Sequence, residues 1–131
     1  MITVTPIDLA DLKMGLARDI AGGNKAAAIG SLYTLSVNTG QFIESQGADL
    51  ARDSRVSLCE EVLKYAKRID EMSGVMDQDD AFVWSEALDH MRLSFMDRCP
   101  QLLGDVATLA GETQVTELTT GSAAQTYEPR I

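Results

Sequence analysis

The chain has little of what most catalytic and secreted proteins rely on. Its 131 residues include one histidine, one tryptophan and two cysteines, and aromatic side chains make up 5% of them. Two cysteines, Cys59 and Cys99, with no motif around them give no disulfide framework, and both are expected as reduced, buried or half-buried thiols. With so few aromatic rings the core has to be aliphatic, built from Leu, Ile, Val, Met and Ala. Such cores suit close helix–helix packing better than a β-sandwich. No apolar run approaches the ~18 residues of a membrane span. Asp8 and Asp11 interrupt the N-terminal region where a secretory leader would need an unbroken apolar stretch. The expected location is therefore the cytoplasm, or an assembly built there such as a virion.

Positive charge is also short. Eleven Lys and Arg stand against 20 Asp and Glu, for a formal charge of −9. The excess sits in the second half, where residues 73–100 carry six acids and two bases. A surface of this sign repels phosphate, which argues against direct nucleic-acid binding and against adhesion to anionic membranes. It favours solubility or a basic protein partner.

What the chain does have is helical spacing. Thr5-Pro6-Ile7-Asp8 combines a cap, a proline suited to the first helical position and an acid at the positive end, followed by Leu9, Leu12, Leu16 and Ile20. This predicts a helix over 6–21, stopped by Gly22-Gly23. Asn24 can cap a second helix lined by Ile29, Leu32, Ser36, Thr39 and Ile43 and ended by Gly47. Its stretch Ala26-Ala27-Ala28, with Gly30 and Ser31, permits a close crossing, within the fold or in a homo-oligomer. A third helix is expected from Asp49, with Leu58, Val62, Ala66 and Ile69 inward and a charged outer face. Asp77-Gln78-Asp79-Asp80 opens a fourth, with Ala81, Trp84, Leu88, Met91 and Phe95 as its stripe. Cys99-Pro100 breaks the pattern and predicts a kink or a short fifth helix over 100–110, with Leu103, Val106 and Ala110 inward and Gly111 as the stop.

After Gly111 the periodicity disappears. Thr113, Thr116, Thr119 and Thr120 favour extended backbone, and twenty extended residues can reach roughly 65 Å. The expected fold is thus all-α: a four- to five-helix bundle over 1–111 with an extended, non-helical C-terminal arm over 112–131.

No constellation points firmly to catalysis, and no cofactor or metal is expected. His90 has Glu86 one turn before it, a pair that could share a metal, but a bundle metal site repeats the pattern on a second helix. A calcium loop starting at Asp77 would need glycine at its sixth position and Glu at its twelfth; the chain has Phe82 and Leu88. Gly22-Gly23-Asn24-Lys25 lacks the spacing of a phosphate-binding loop.

The leading expectation is a non-enzymatic interaction protein. It would be a structural, adaptor or accessory subunit of a larger assembly, such as a phage virion, with protein neighbours as partners. Val115, Leu118, Tyr127 and Ile131 of the arm are its candidate docking residues. The alternative is an acidic inhibitor of a nucleic-acid-binding machine, for example a phage-encoded anti-defence protein. Asp77, Asp79 and Asp80 would then lead the contact. A small metal-dependent enzyme built on Glu86 and His90 is the third reading.

Overall fold

In the computed structural model, which describes residues 4–96 and 99–111, Thr5 starts the first helix with a reciprocal cap. Its hydroxyl accepts from the Asp8 N–H at 3.1 Å, and the Asp8 carboxylate accepts from the Thr5 N–H at 2.9 Å. The Thr5 N–H holds the Asp8 carboxyl below its ordinary pKa, and the Thr5 hydroxyl adds to that. A carboxylate whose folded pKa is depressed contributes stability above its unfolded pKa. That contribution is lost as the pH falls through the folded value. Going from about pH 5 to about pH 2 is therefore expected to lower the melting temperature of the wild type more than that of Asp8→Asn. Thermal melts followed by circular dichroism check this, and equal losses would remove Asp8 from the acid response.

Helix α1 (Pro6–Ala21) buries Leu9 and Leu16 and rests Leu12 and Ile20 on the same core. The turn after it uses Gly23 at φ 73°, where a side chain would be strained. Asn24 then accepts from the Ala27 N–H at 3.1 Å and opens α2 (Lys25–Gln46). The Lys25 ammonium donates to the carbonyls of Met72 at 3.1 Å and Gly74 at 3.2 Å, fastening this turn to a segment almost fifty residues further along the chain. Gly22-Gly23-Asn24-Lys25 is thus a turn, a cap and a strap.

Helix α2 is the centre of the fold. Of its 22 residues only Lys25 and Glu44 are charged, and it packs against three other helices, α1 on one side and the two later long helices on others. Ala28, Ile29, Leu32, Leu35, Ser36, Thr39, Phe42 and Ile43 are all buried. The small-residue stretch resolves accordingly: Ala28 lies inside, while Ala26 and Gly30 face solvent. Gly40, costly inside a helix by ~1 kcal/mol, has a packing reason. A Cβ there would lie 2.7 Å from the Ser94 hydroxyl oxygen, so its absence lets another helix come close.

The third helix begins later than its sequence predicts. Gly47 at φ 54° leads into a single 3-10 turn, Gly47–Asp49, and α3 (Arg52–Asp70) starts with Ala51 as a cap that makes no side-chain hydrogen bond. Asp49 therefore sits in the turn and does not cap the helix. The chain uses the extra residues to lay Leu50 against the core. Cys59, Val62, Leu63, Ala66 and Ile69 form the buried stripe of α3.

Helix α4 (Gln78–Phe95) buries Trp84, Ala87, Leu88, Met91 and Phe95. Ala81, expected inward, is exposed, and Ala87 takes its place in the stripe. Pro100 starts a 3-10 turn that runs into α5 (Leu103–Leu109), so the break at Cys99-Pro100 is a new short helix. Val106 is its buried anchor; Ala110, also expected inward, faces solvent. Lys67 of α3 and Asp105 of α5 pair at 3.0 Å, and α5 packs on α3 and α4. Gly111, at φ 77°, is the stop. Both cysteines are buried thiols. The described residues are an all-α bundle of five helices, and the arm over 112–131 lies outside them. No helix among them is long and apolar enough to cross a membrane.

Candidate docking surface on the fourth helix

The two groups of candidate residues meet different ends. Val115, Leu118, Tyr127 and Ile131 lie outside the described residues. Asp77, Asp79 and Asp80 come together at the start of α4, where local chemistry accounts for much of their placement. The Asp77 carboxylate accepts from the Asp80 N–H at 2.7 Å as the helix cap. Asp79 and Asp80 follow in the first turn, where the unpaired N–H groups favour negative charge. Asp77 and Asp79 are exposed and Asp80 is half-buried.

The spacing of α4 extends this acidic end into a longer surface. At 100° per residue, Asp79, Phe82, Glu86, Asp89, Leu93 and Met96 fall within about 60° of one line, on the side away from Trp84, Leu88, Met91 and Phe95. Phe82 is 64% exposed, Leu93 64% and Met96 54%. Along this line Asp79 precedes Phe82, Glu86 and Asp89 follow it, and Leu93 and Met96 close the row. Arg92 donates to Asp89 at 2.7 Å, whereas Asp79 and Glu86 make no ion pair among the described residues.

Beside this line, α2 and α4 leave a groove of about 300 Å³ edged by Val37, Gly40, Glu44, His90, Leu93 and Ser94. His90 is half-buried here and meets Tyr33 edge-to-face, with ring centroids 5.4 Å apart at 80°. Glu86 and His90 stand one turn apart, and no three His, Cys, Asp or Glu side chains among the described residues are grouped to hold a metal.

A second cleft, of about 420 Å³, opens between α1, α2 and α3. Pro6, Leu9, Phe42, Leu50 and Leu58 give it an apolar lining, and Lys13 and Glu61 meet at 2.5 Å on its edge.

Sequence reasoning missed Phe82, Leu93 and Met96 as surface residues. The clue was present: they are the large apolar residues of this segment left over once Trp84, Leu88, Met91 and Phe95 are assigned inward. Isolated apolar residues at a surface are ordinary, which is why the clue is weak until their alignment is seen. Comparison of the chain with protein-family models, curated proteins and solved structures gave no match.

Proposed function

We propose that this protein is a non-enzymatic helical interaction protein, a structural, adaptor or accessory subunit of a larger assembly of the kind a phage virion represents. It docks through the outward face of α4 and through the arm that follows Gly111. The observation that carries the reading is the line of Phe82, Leu93 and Met96 in solvent, with Asp79 before it and Glu86 between Phe82 and Leu93. Burying a side chain of this size against a partner contributes about 1.5–3 kcal/mol, and Phe and Met are enriched where proteins meet. The carboxylates on the same line repel phosphate and favour a partner whose apolar contact is edged by Lys or Arg.

Capture of the native assembly by the immobilised full chain tests this. The double substitution F82D/L93D is expected to reduce capture at least tenfold while leaving the helical circular-dichroism spectrum unchanged. Undiminished capture by that variant and by a chain ending at Gly111 would overturn the reading.

A second reading, an acidic inhibitor of a basic nucleic-acid-binding machine, is favoured by the exposed Asp77 and Asp79 beside Asp80. It diverges under salt. Screening lengths shrink from about 10 Å at 0.1 M to about 3 Å at 1 M, so contact through charge collapses over that range while apolar docking persists.

A further inference from the structure

The fold brings the two cysteines to one carbonyl. Cys59 lies on the buried stripe of α3, and Cys99 lies at the corner between α4 and α5. Both are free thiols and 0% exposed. The Cys99 thiol donates to the Arg55 carbonyl at 3.7 Å. Arg55 stands one turn before Cys59, and inside α3 that same carbonyl accepts the Cys59 N–H. The Cys99 sulfur is therefore within about 7 Å of the Cys59 backbone nitrogen. A disulfide spans about 4.4–6.8 Å between its two Cα atoms. Rotation of the two side chains and a small shift of the corner are enough to join them.

The element that follows Cys99 is lightly held. Helix α5 has seven residues, and Val106 is its one buried side chain. Its ion pair to α3, between Lys67 and Asp105, is half exposed on both sides and adds little. Segments with so few buried contacts open locally while the rest of a domain stays folded. Such an opening lifts Cys99 off the Arg55 carbonyl and lets a small reagent in where the two cysteines meet.

We infer that Cys59 and Cys99 form an intramolecular disulfide when the folded chain meets an oxidising thiol pool, with glutathione disulfide as the oxidant. Cys99, on the segment that opens, is the first to react. Its thiolate attacks one sulfur of glutathione disulfide and expels a glutathione thiolate. Cys59 then attacks the Cys99 sulfur of the mixed disulfide and expels the second glutathione. Two thiols become one disulfide, and the two electrons and two protons leave on two molecules of reduced glutathione. The new bond closes a loop of about 40 residues. It also fastens the start of α5, and with it the root of residues 112–131, to α3. In a reducing pool both remain buried thiols.

This bond lies away from the proposed docking surface on α4 and does not rest on it. Incubation of the folded full chain with glutathione disulfide, followed by its intact mass, tests it. The expected product has lost two hydrogens and carries no glutathione. Trypsin should then release the peptide 56–64 linked to the peptide that begins at Cys99. The oxidised chain is expected to melt about 10 °C higher, and dithiothreitol to reverse both changes. Val106→Ala, which loosens α5, is expected to speed formation about fivefold. Thiols that stay reduced in excess glutathione disulfide would overturn the proposal. So would two glutathiones on each chain, links between chains, or a bond that forms only in urea. An unchanged rate in Val106→Ala would overturn the route through α5.

Discussion

Phe95→Ala is expected to lower the unfolding free energy by about 3–5 kcal/mol, the range for removing a buried aromatic ring and leaving a cavity. Phe95 is among the largest fully buried side chains and closes the last turn of α4. Its carbonyl also accepts from the Cys99 N–H at 2.7 Å, at the corner where the chain turns toward α5. Truncation therefore removes packing at a point where several segments depend on it and where little can collapse to fill the space. Domains of this size typically have only 5–15 kcal/mol in total, so the variant should be marginal. Urea unfolding at equilibrium measures the effect as a lower midpoint at unchanged slope. Phe95→Leu, which keeps most of the volume, should recover much of the loss. If alanine cost under about 1 kcal/mol, the ring would not be the anchor of this corner.

The second expected result has the opposite sign. Thr39→Val should stabilise the protein by about 1–2 kcal/mol. Thr39 lies on α2, is 3% exposed, and its hydroxyl makes no hydrogen bond among the described residues. A buried hydroxyl without a partner loses its hydration and gets nothing back. Valine has nearly the same shape and the same stiffness at its first side-chain torsion, so the exchange removes the penalty without opening a hole. Ser36, one turn earlier on the same helix, is the control. Its hydroxyl donates to the Leu32 carbonyl at 2.8 Å, so Ser36→Ala should bring no comparable gain. Midpoints in urea for the two variants separate the cases. A loss on Thr39→Val would mean that the hydroxyl is satisfied, by buried water for instance.

The contrast between Thr39 and Ser36 marks where sequence reasoning reaches and where it stops. Both residues lie on the predicted inward line of α2, and both are buried. Their burial was legible because the inward positions of a helix recur at fixed spacing. Whether a hydroxyl finds a carbonyl depends on side-chain rotation, and no pattern of letters carries that. Helix α2 has only two charges in 22 residues, but Thr34, Gln41 and Glu44 keep one side in water, so its central place emerges only from the packing of three helices around it.

The misplaced residues share a physical cause. Ala81 and Ala110 were expected inward because they complete helical rows, but one methyl group gains too little from burial to decide which way a helix end faces. Asp49 has the right chemistry for a cap, yet the left-handed Gly47 sends the chain through a 3-10 turn that places Leu50 on the core, and α3 begins afterwards. Resting a half-buried leucine on the core takes precedence over one capping bond. The outward row on α4 was hidden for the complementary reason. The inward stripe dominates each helix, and the residues left over gain meaning only once the opposite side is known to be open.

The central place of α2 also governs what happens while the chain is being made. The helix is complete at Gln46, but α4, one of the helices that cover it, ends at Phe95. About 50 residues separate the two, so synthesis at roughly 5–20 residues per second leaves one flank of α2 uncovered for about 2–10 seconds. During that interval α1 is available from the start, and α3 joins it once the chain has passed Asp70. A nascent polypeptide with an apolar, nearly uncharged helix waiting for its cover is the kind of client that chaperones at the ribosome hold.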